Sequence, residues 1–197
     1  IHHVQGALPE ALSAYEKALK ADEAHIEARV ARAGINFDMG RIDQTRADVK
    51  ELIHVAPLEP RGAYLTALLA ERDGNAAGAR AALAEVTALL DPVQVEFLRY
   101  RPQLLMLNGL AHFGLNQREK AKPYLEMFQR SQSNSPVSKL LAQIYISENN
   151  ADRAAEVLES YLKNRPGDAH AASLLAGAYR AKGRHAKATA LMQEALR

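Results

Sequence analysis

The sequence predicts an all-α solenoid of antiparallel helix pairs, on three observations. Phrases recur every 34 residues. Ala and Leu crowd a chain that is 6% aromatic and lacks Trp, so helix propensity dominates and strand signals are scarce. One column of the repeat is always Gly or Asn. When Ser135–Asp168 is aligned with the segment starting at Ala169, Leu141, Ala142, Tyr145, Ala154 and Leu162 fall on Leu175, Ala176, Tyr179, Ala188 and Leu196. Carried toward the N-terminus, this register gives six units, whose turn position holds Gly6, Gly40, Gly74, Asn116, Asn149 and Gly183. These residues tolerate the left-handed geometry with which one helix ends before the next begins.

Each unit reads as helix, turn, helix. The boundaries fall at 1–25 (partial), 26–59, 60–93, 102–134, 135–168 and 169–197 (partial), a single array with an insertion at about 94–101. Five residues after the turn stand Ala11, Thr45, Ala79, Ala121, Ala154 and Ala188, small in every unit, where two helices must approach closely. Nine after it come the apolar Tyr15, Val49, Leu83, Leu125, Leu158 and Met192. In the first helices Ala33, Ala67, Gly109, Ala142 and Ala176 face the small column across the pair. Pro57 and Pro166 stop second helices, and Asp91 and Ser133 read as caps for the helices after them. Pro123 falls inside a second helix, where the missing donor predicts a kink and a local change of curvature.

The turn-to-turn spacings are 34, 34, 42, 33 and 34, which places the insertion in Asp91–Pro102. Val93, Phe97 and Tyr100 recur there at helical spacing and predict a short amphipathic helix with an apolar side to cover. It reads either as a linker packed on the surface or as a gate over a binding groove. The chain opens partway through a first helix and stops at Arg197 before a closing turn, as an excerpt of a longer repeat protein would. His2 and His3 read equally as a tag remnant or as native residues in register.

Composition narrows the function. The 197 residues are 48% hydrophobic and 24% charged, ordinary globular values. A net charge of +2 is too balanced for a protein whose affinity rests on neutralising phosphates, so nucleic acid is not the expected partner. Without cysteine there is no disulfide framework, thiolate metal site or cysteine nucleophile, and such a chain suits the periplasm as well as the cytosol. No run approaches the 18 or so apolar residues of a membrane span. No HExxH, GxxxxGK[ST] or strand-flanked GxGxxG occurs, so no catalytic, cofactor or metal site is expected. Gly74 and Gly78 read as a turn glycine and a tolerated helix glycine. His112 occupies a buried aromatic position, and His25, His54, His170 and His185 are scattered over different units; structural roles are expected for all five.

A 34-residue helix–turn–helix with small residues at its eighth, twentieth and often twenty-seventh positions resembles the tetratricopeptide repeat (TPR), and the resemblance covers the whole chain. It implies a right-handed superhelix with a peptide-binding concave face formed by the first helices. The eleventh position, usually Tyr, is Asn36, Ala70 and His112 in the middle units, which are therefore expected to pack more loosely than the last two. The implied groove positions, the second, fifth, ninth, twelfth and thirteenth of each unit, give the candidate site: Val30, Phe37, Tyr64, Leu68, Met106, Leu110, Phe113, Lys139, Gln143 and Ile146. This apolar set departs from the chaperone-binding subclass with its carboxylate clamp of Lys and Asn; Lys139 with Gln143 is a faint echo. It suits an amphipathic helix or hydrophobic segment, although the same side chains also serve if they only pack across a tight superhelix.

The stretch PQLLMLNGLAHFGLNQREKAKPYLEMF, residues 102–128, followed by SPVSKLLAQIYISENNADRAAEVLE, resembles the TPR lipoproteins of the PEP-CTERM/exosortase protein-sorting system in Gram-negative, exopolysaccharide-producing bacteria. That resemblance implies a non-catalytic scaffold for a protein or peptide partner. It places the chain in the cell envelope, on the periplasmic side, in a lipid-anchored parent beside polysaccharide export. The alternative is the TPR arm of a larger enzyme, such as a glycosyltransferase whose catalytic domain lies outside this segment.

Overall fold

The computed structural model describes residues 8–195, which carry twelve α-helices and no strand. Gly6, His2, His3 and Leu196, invoked by the sequence register, lie outside the described residues. The fold class is the expected one, an all-α solenoid of antiparallel helix pairs. The chain divides into two compact units, Ile1–Val93 and Gln94–Arg197.

The first unit contains α1 (Leu8–Ala21), α2 (Ile26–Asp38), α3 (Ile42–Val55), α4 (Pro60–Arg72) and α5 (Ala76–Leu90). The second contains α6 (Val95–Leu98), α7 (Pro102–Gly114), α8 (Arg118–Ser131), α9 (Val137–Ser147), α10 (Ala151–Asn164), α11 (Ala169–Ala181) and α12 (His185–Ala195). The hairpins are α2–α3 and α4–α5 in the first unit, and α7–α8, α9–α10 and α11–α12 in the second.

The turn column behaves as its residues dictate. Gly40, Gly74, Asn116, Asn149 and Gly183 all take positive φ, between +57° and +71°. At each of these turns the following N–H reaches back to the eleventh-position carbonyl. The bonds are Arg41 to Asn36, Asn75 to Ala70, Gln117 to His112, Asn150 to Tyr145 and Arg184 to Tyr179, all 2.8–2.9 Å. This is the Schellman arrangement, which satisfies a carbonyl the ending helix would leave orphaned. Asn75 and Asn150 then cap the next helix, accepting from the Gly78 and Arg153 N–H groups. Gly78 has its own reason to be glycine, since an added Cβ would sit 2.4 Å from the capping Asn75 amide.

The small columns are buried where helices touch. Ala33, Ala121, Ala142, Ala154 and Ala176 are wholly enclosed. At Gly109 a Cβ would come within 2.4 Å of Leu125, so the leucine fills the space that the absent side chain leaves. Thr45, the exception in its column, is buried because its hydroxyl donates to the Arg41 carbonyl at 3.0 Å.

Several sequence expectations need correction. Asp91 does not cap the next helix; it ends α5, with φ −60° and ψ −35°, because the chain continues into a turn before α6. Ser133 is not a cap either: its carbonyl accepts from Gln129 Nε2, while the Ser135 hydroxyl accepts from the Val137 N–H at the start of α9. Pro57 and Pro166 do fall just past the ends of α3 and α10. Pro123 lies inside α8, and the helix runs through it from Arg118 to Ser131. In the insertion, Phe97 and Tyr100 are 65% and 73% exposed rather than covered. Leu98, 2% exposed, is the residue that goes inside as α6 packs on α7. A single helical turn buries one side only, and the intervening leucine takes it.

The expectation of looser middle repeats holds between repeats and fails within them. In α4–α5 and α7–α8, which carry Ala70 and His112 at the eleventh position, the two helices touch along more of their length than in α9–α10 or α11–α12. Between repeats, α10 and α11 pack more extensively than α3–α4 or α8–α9, and α8–α9 does not exceed α3–α4 although it carries Tyr145.

Candidate functional site

The ten candidate groove residues all lie on first helices. Val30 and Phe37 are on α2, Tyr64 and Leu68 on α4, Met106, Leu110 and Phe113 on α7, and Lys139, Gln143 and Ile146 on α9. Nine are half-buried; Ile146 is the most open at 39% exposure. On α7 the contrast with neighbouring columns is sharp. Leu105, Leu107 and Ala111 are buried, while Met106, Leu110 and Phe113 between and beyond them keep one side accessible. A helix packed on two sides produces this pattern, and the third stripe is left for another surface.

In the first unit α2 and α4 lie side by side. Phe37 and Leu68 pack against the core of Ala33, Val49, Leu65 and Leu69, so they form a supported floor. Burial, and secondarily the Glu71 charge, push the Tyr64 phenol above its ordinary range. The second positions of these helices, Glu27 and Arg61, satisfy each other across 34 residues, with Arg61 Nη1 2.6 Å from Glu27 Oε2. Arg61 also grips Glu59, the cap of α4, at 2.7 Å, and these hydrogen bonds hold its guanidinium well above the ordinary range.

Lys139 in the second unit is likewise engaged. Its ammonium donates to Asp168 Oδ2 at 2.7 Å and lies 5.8 Å from the centre of the Tyr161 ring. Asp168 is the N-cap of α11 and also accepts from the Ala171 N–H and the Tyr161 hydroxyl, at 2.9 and 2.8 Å. Lys139 first, and then the Ala171 N–H, hold its carboxyl well below the usual carboxylate range. Among the described residues Gln143 and Ile146 carry no such internal tie.

Three arrangements escaped the sequence reading. Asp48 on α3, 3% exposed, meets Arg32 at 2.5 and 2.9 Å and Arg29 at 3.5 Å, a buried cluster clamping α2 to α3. Nothing in spacing alone marks these three as neighbours. A periodic signal did exist for the second arrangement: Tyr145 donates to Glu126 at 2.7 Å and Tyr179 to Glu159 at 2.9 Å, the same bond one repeat apart. Those pairs line two open clefts of about 300 and about 390 Å³, and none of the ten groove residues lines either. The third is His25, which caps α2 by accepting from the Ala28 N–H. His112, at the buried aromatic position as read, bonds Gln117 at 2.7 Å and stacks on Tyr124 at 5.8 Å.

Among the described residues no group of three or more His, Asp or Glu is placed to hold a metal, and no helix is long and apolar enough to cross a membrane.

Stacked helical hairpins with an apolar, half-accessible stripe on their first helices define a TPR-type protein-interaction scaffold. Two tetratricopeptide-repeat family models match the chain, one over residues 30–91 and the other over 112–178 and 145–197, together well over half of it. The chain belongs to the tetratricopeptide-repeat family. It is similar in structure to PilW, a widely conserved type IV pilus biogenesis factor, at 19% identity over 96% of this chain and 85% of that one, with a TM-score of 0.65. A comparable likeness, at 15% identity, covers 93% of this chain and 91% of YrrB, a TPR protein with an unusual peptide-binding site, with a TM-score of 0.60. For pilF of Pseudomonas aeruginosa the values are 16% identity, 96% and 83% coverage, and a TM-score of 0.64. Identities this low speak to the fold. No curated protein sequence matches the chain.

Proposed function

We propose that this chain is a non-catalytic scaffold that binds a peptide or helix of a partner protein on the accessible face of its first helices, within a bacterial envelope sorting or export machine. The observation that carries the binding mode is the stripe of Met106, Leu110 and Phe113, apolar yet half-accessible beside fully buried columns. Met adapts its shape to a partner, and an apolar stripe flanked by polar residues suits an amphipathic helix or a hydrophobic segment. The envelope setting rests on the resemblance of residues 102 onward to the lipoproteins of the PEP-CTERM/exosortase system. On this reading the chain works on the periplasmic side, in a lipid-anchored parent near exopolysaccharide export.

The test is affinity capture with the chain as bait, from envelope and from cytosolic extracts of a Gram-negative exopolysaccharide producer. A partner retained from the envelope fraction and lost with the triple change Phe37→Ala, Met106→Ala, Phe113→Ala, at unchanged far-ultraviolet helicity, is the expected result. Capture indifferent to the triple change would sink the groove, and a partner found only in cytosol would sink the envelope assignment.

A further inference from the structure

The helical glycines fall into two kinds. At Gly62, Gly78 and Gly109 an added Cβ would press on Leu52, Asn75 and Leu125, so the chain's own packing or capping accounts for them. At Gly34 and Gly177 it would meet nothing within 4 Å, and neither backbone is in the left-handed region. Glycine inside a helix is destabilising relative to alanine. Nothing within the fold offsets that loss at these two sites, and both occupy the ninth position of a first helix, on the groove face.

Around Gly177 the chemistry is specific. One turn on along the same face of α11 stands Arg180, exposed and without an ion-pair partner among the described residues; Ser173 is one turn back, also exposed. Helix α9 lies directly against α11 and presents Gln143 and the open Ile146 at the equivalent ninth and twelfth positions, while Lys139 is neutralised by Asp168. The groove positions of α7, α9 and α11 carry no Asp or Glu, whereas those of α2 and α4 carry Glu27, Asp38 and Glu71. The second unit's groove is thus acid-free, apolar on α7 and polar to basic on α9 and α11 apart from Ile146, and among the described residues the Arg180 guanidinium has no ion-pair partner beside the uncovered backbone of Gly177.

Resting on the proposed groove, we infer that the α9–α11 face binds an acidic, apolar peptide. Its main chain seats against Gly177, an apolar side chain covers Ile146, and a carboxylate pairs with Arg180. Arg favours this role because its planar fork takes a carboxylate with two parallel bonds.

The test selects a phage-displayed random peptide library on the whole chain, then measures the enriched peptides by fluorescence anisotropy against variants. Enriched sequences are expected to join Asp or Glu to an apolar residue. Arg180→Glu should weaken them about tenfold or more, the scale of one lost charge-assisted hydrogen bond. Gly177→Ala should raise the melting temperature while weakening binding by a similar factor, a combination that misfolding does not produce. Enriched peptides without acids, or affinity unchanged by Gly177→Ala and Arg180→Glu but lowered by Met106→Ala, would overturn this inference and leave the groove intact. No enrichment, or binding indifferent to every first-helix substitution, would overturn the groove and this inference with it.

Discussion

The two units are built from the same repeat and are held together differently. In the second, tyrosines at the eleventh position reach from α9 and α11 back to Glu126 and Glu159 on the preceding second helices. Burial, and then those carboxylates, push both phenols above their ordinary range. The first unit has Asn36 and Ala70 in that column and cannot make the bond. It has a buried tie inside a repeat, where Asp48 is shared between Arg29 and Arg32, and joins its first helices through Arg61 and Glu27. One tie is common to both units: the base six residues after a turn pairs with the acid just before the next one, Arg46 with Asp73 and Lys122 with Glu148, each at 2.6 Å. A solenoid's stability is a sum of repeat and neighbour terms.

The largest effect should come from the first unit. Asp48→Ala leaves two largely buried guanidiniums without their anion and should cost about 3–5 kcal/mol, the scale of a broken buried ion pair. Hydrogen exchange should show the lost protection in α2 and α3 rather than in α9–α12. Equal loss in both units would mean that they unfold as one and would dissolve the contrast between them.

Next come the tyrosines. Tyr145→Phe and Tyr179→Phe keep the rings and remove only the bonds to carboxylates, so each should lower stability by about 1.5–3 kcal/mol in urea denaturation, with exchange quickening at the α8–α9 and α10–α11 contacts. An unchanged midpoint for both would show that ring packing alone joins these repeats.

The Asp168 carboxylate gives a smaller, pH-dependent effect. Its folded pKa is depressed, so its stabilisation is present above the ordinary carboxylate range, about 4, and is lost as pH falls toward the lower folded value. Asp168→Asn keeps a cap acceptor and removes the charge. It should lower stability at neutral pH and flatten the acid limb of a stability–pH profile; an identical acid limb in the variant would disprove the assignment.

Smallest of all, Arg46→Ala should cost at most about 1 kcal/mol, because both partners of its ion pair are solvent-exposed and screened, and added salt should erase the difference. A larger loss that survives salt would mean the shared tie is structural in both units.

Much of the architecture was legible in the sequence. The turn column needed only the knowledge that Gly and Asn tolerate positive φ, and all five described members show it. The small columns followed from 34-residue spacing, and the groove stripe from its register. Caps were less legible: Asp91 and Ser133 have the right chemistry, but the path of the chain through the insertion and into α9 decided against them. In Val93, Phe97 and Tyr100 the periodic signal was real but pointed outward, since Leu98 between them was the residue that could reach α7.

The sequence by itself determined the repeat, the all-helical class, the hairpin turns and the face each first helix offers, because all of these follow from local periodicity and backbone preference. Tertiary structure alone decided which charges were spent internally and which were left. Lys139 and Arg180 look alike as groove cations in the sequence, but among the described residues Lys139 has an acid, the cap of the next helix, within reach, and Arg180 has no ion-pair partner. Gly109 and Gly177 are equally plain helical glycines until their surroundings are known, one filled by Leu125 and the other open. The physical reason is the same in both cases: a partner's presence depends on residues brought near by packing, which no single periodic pattern encodes.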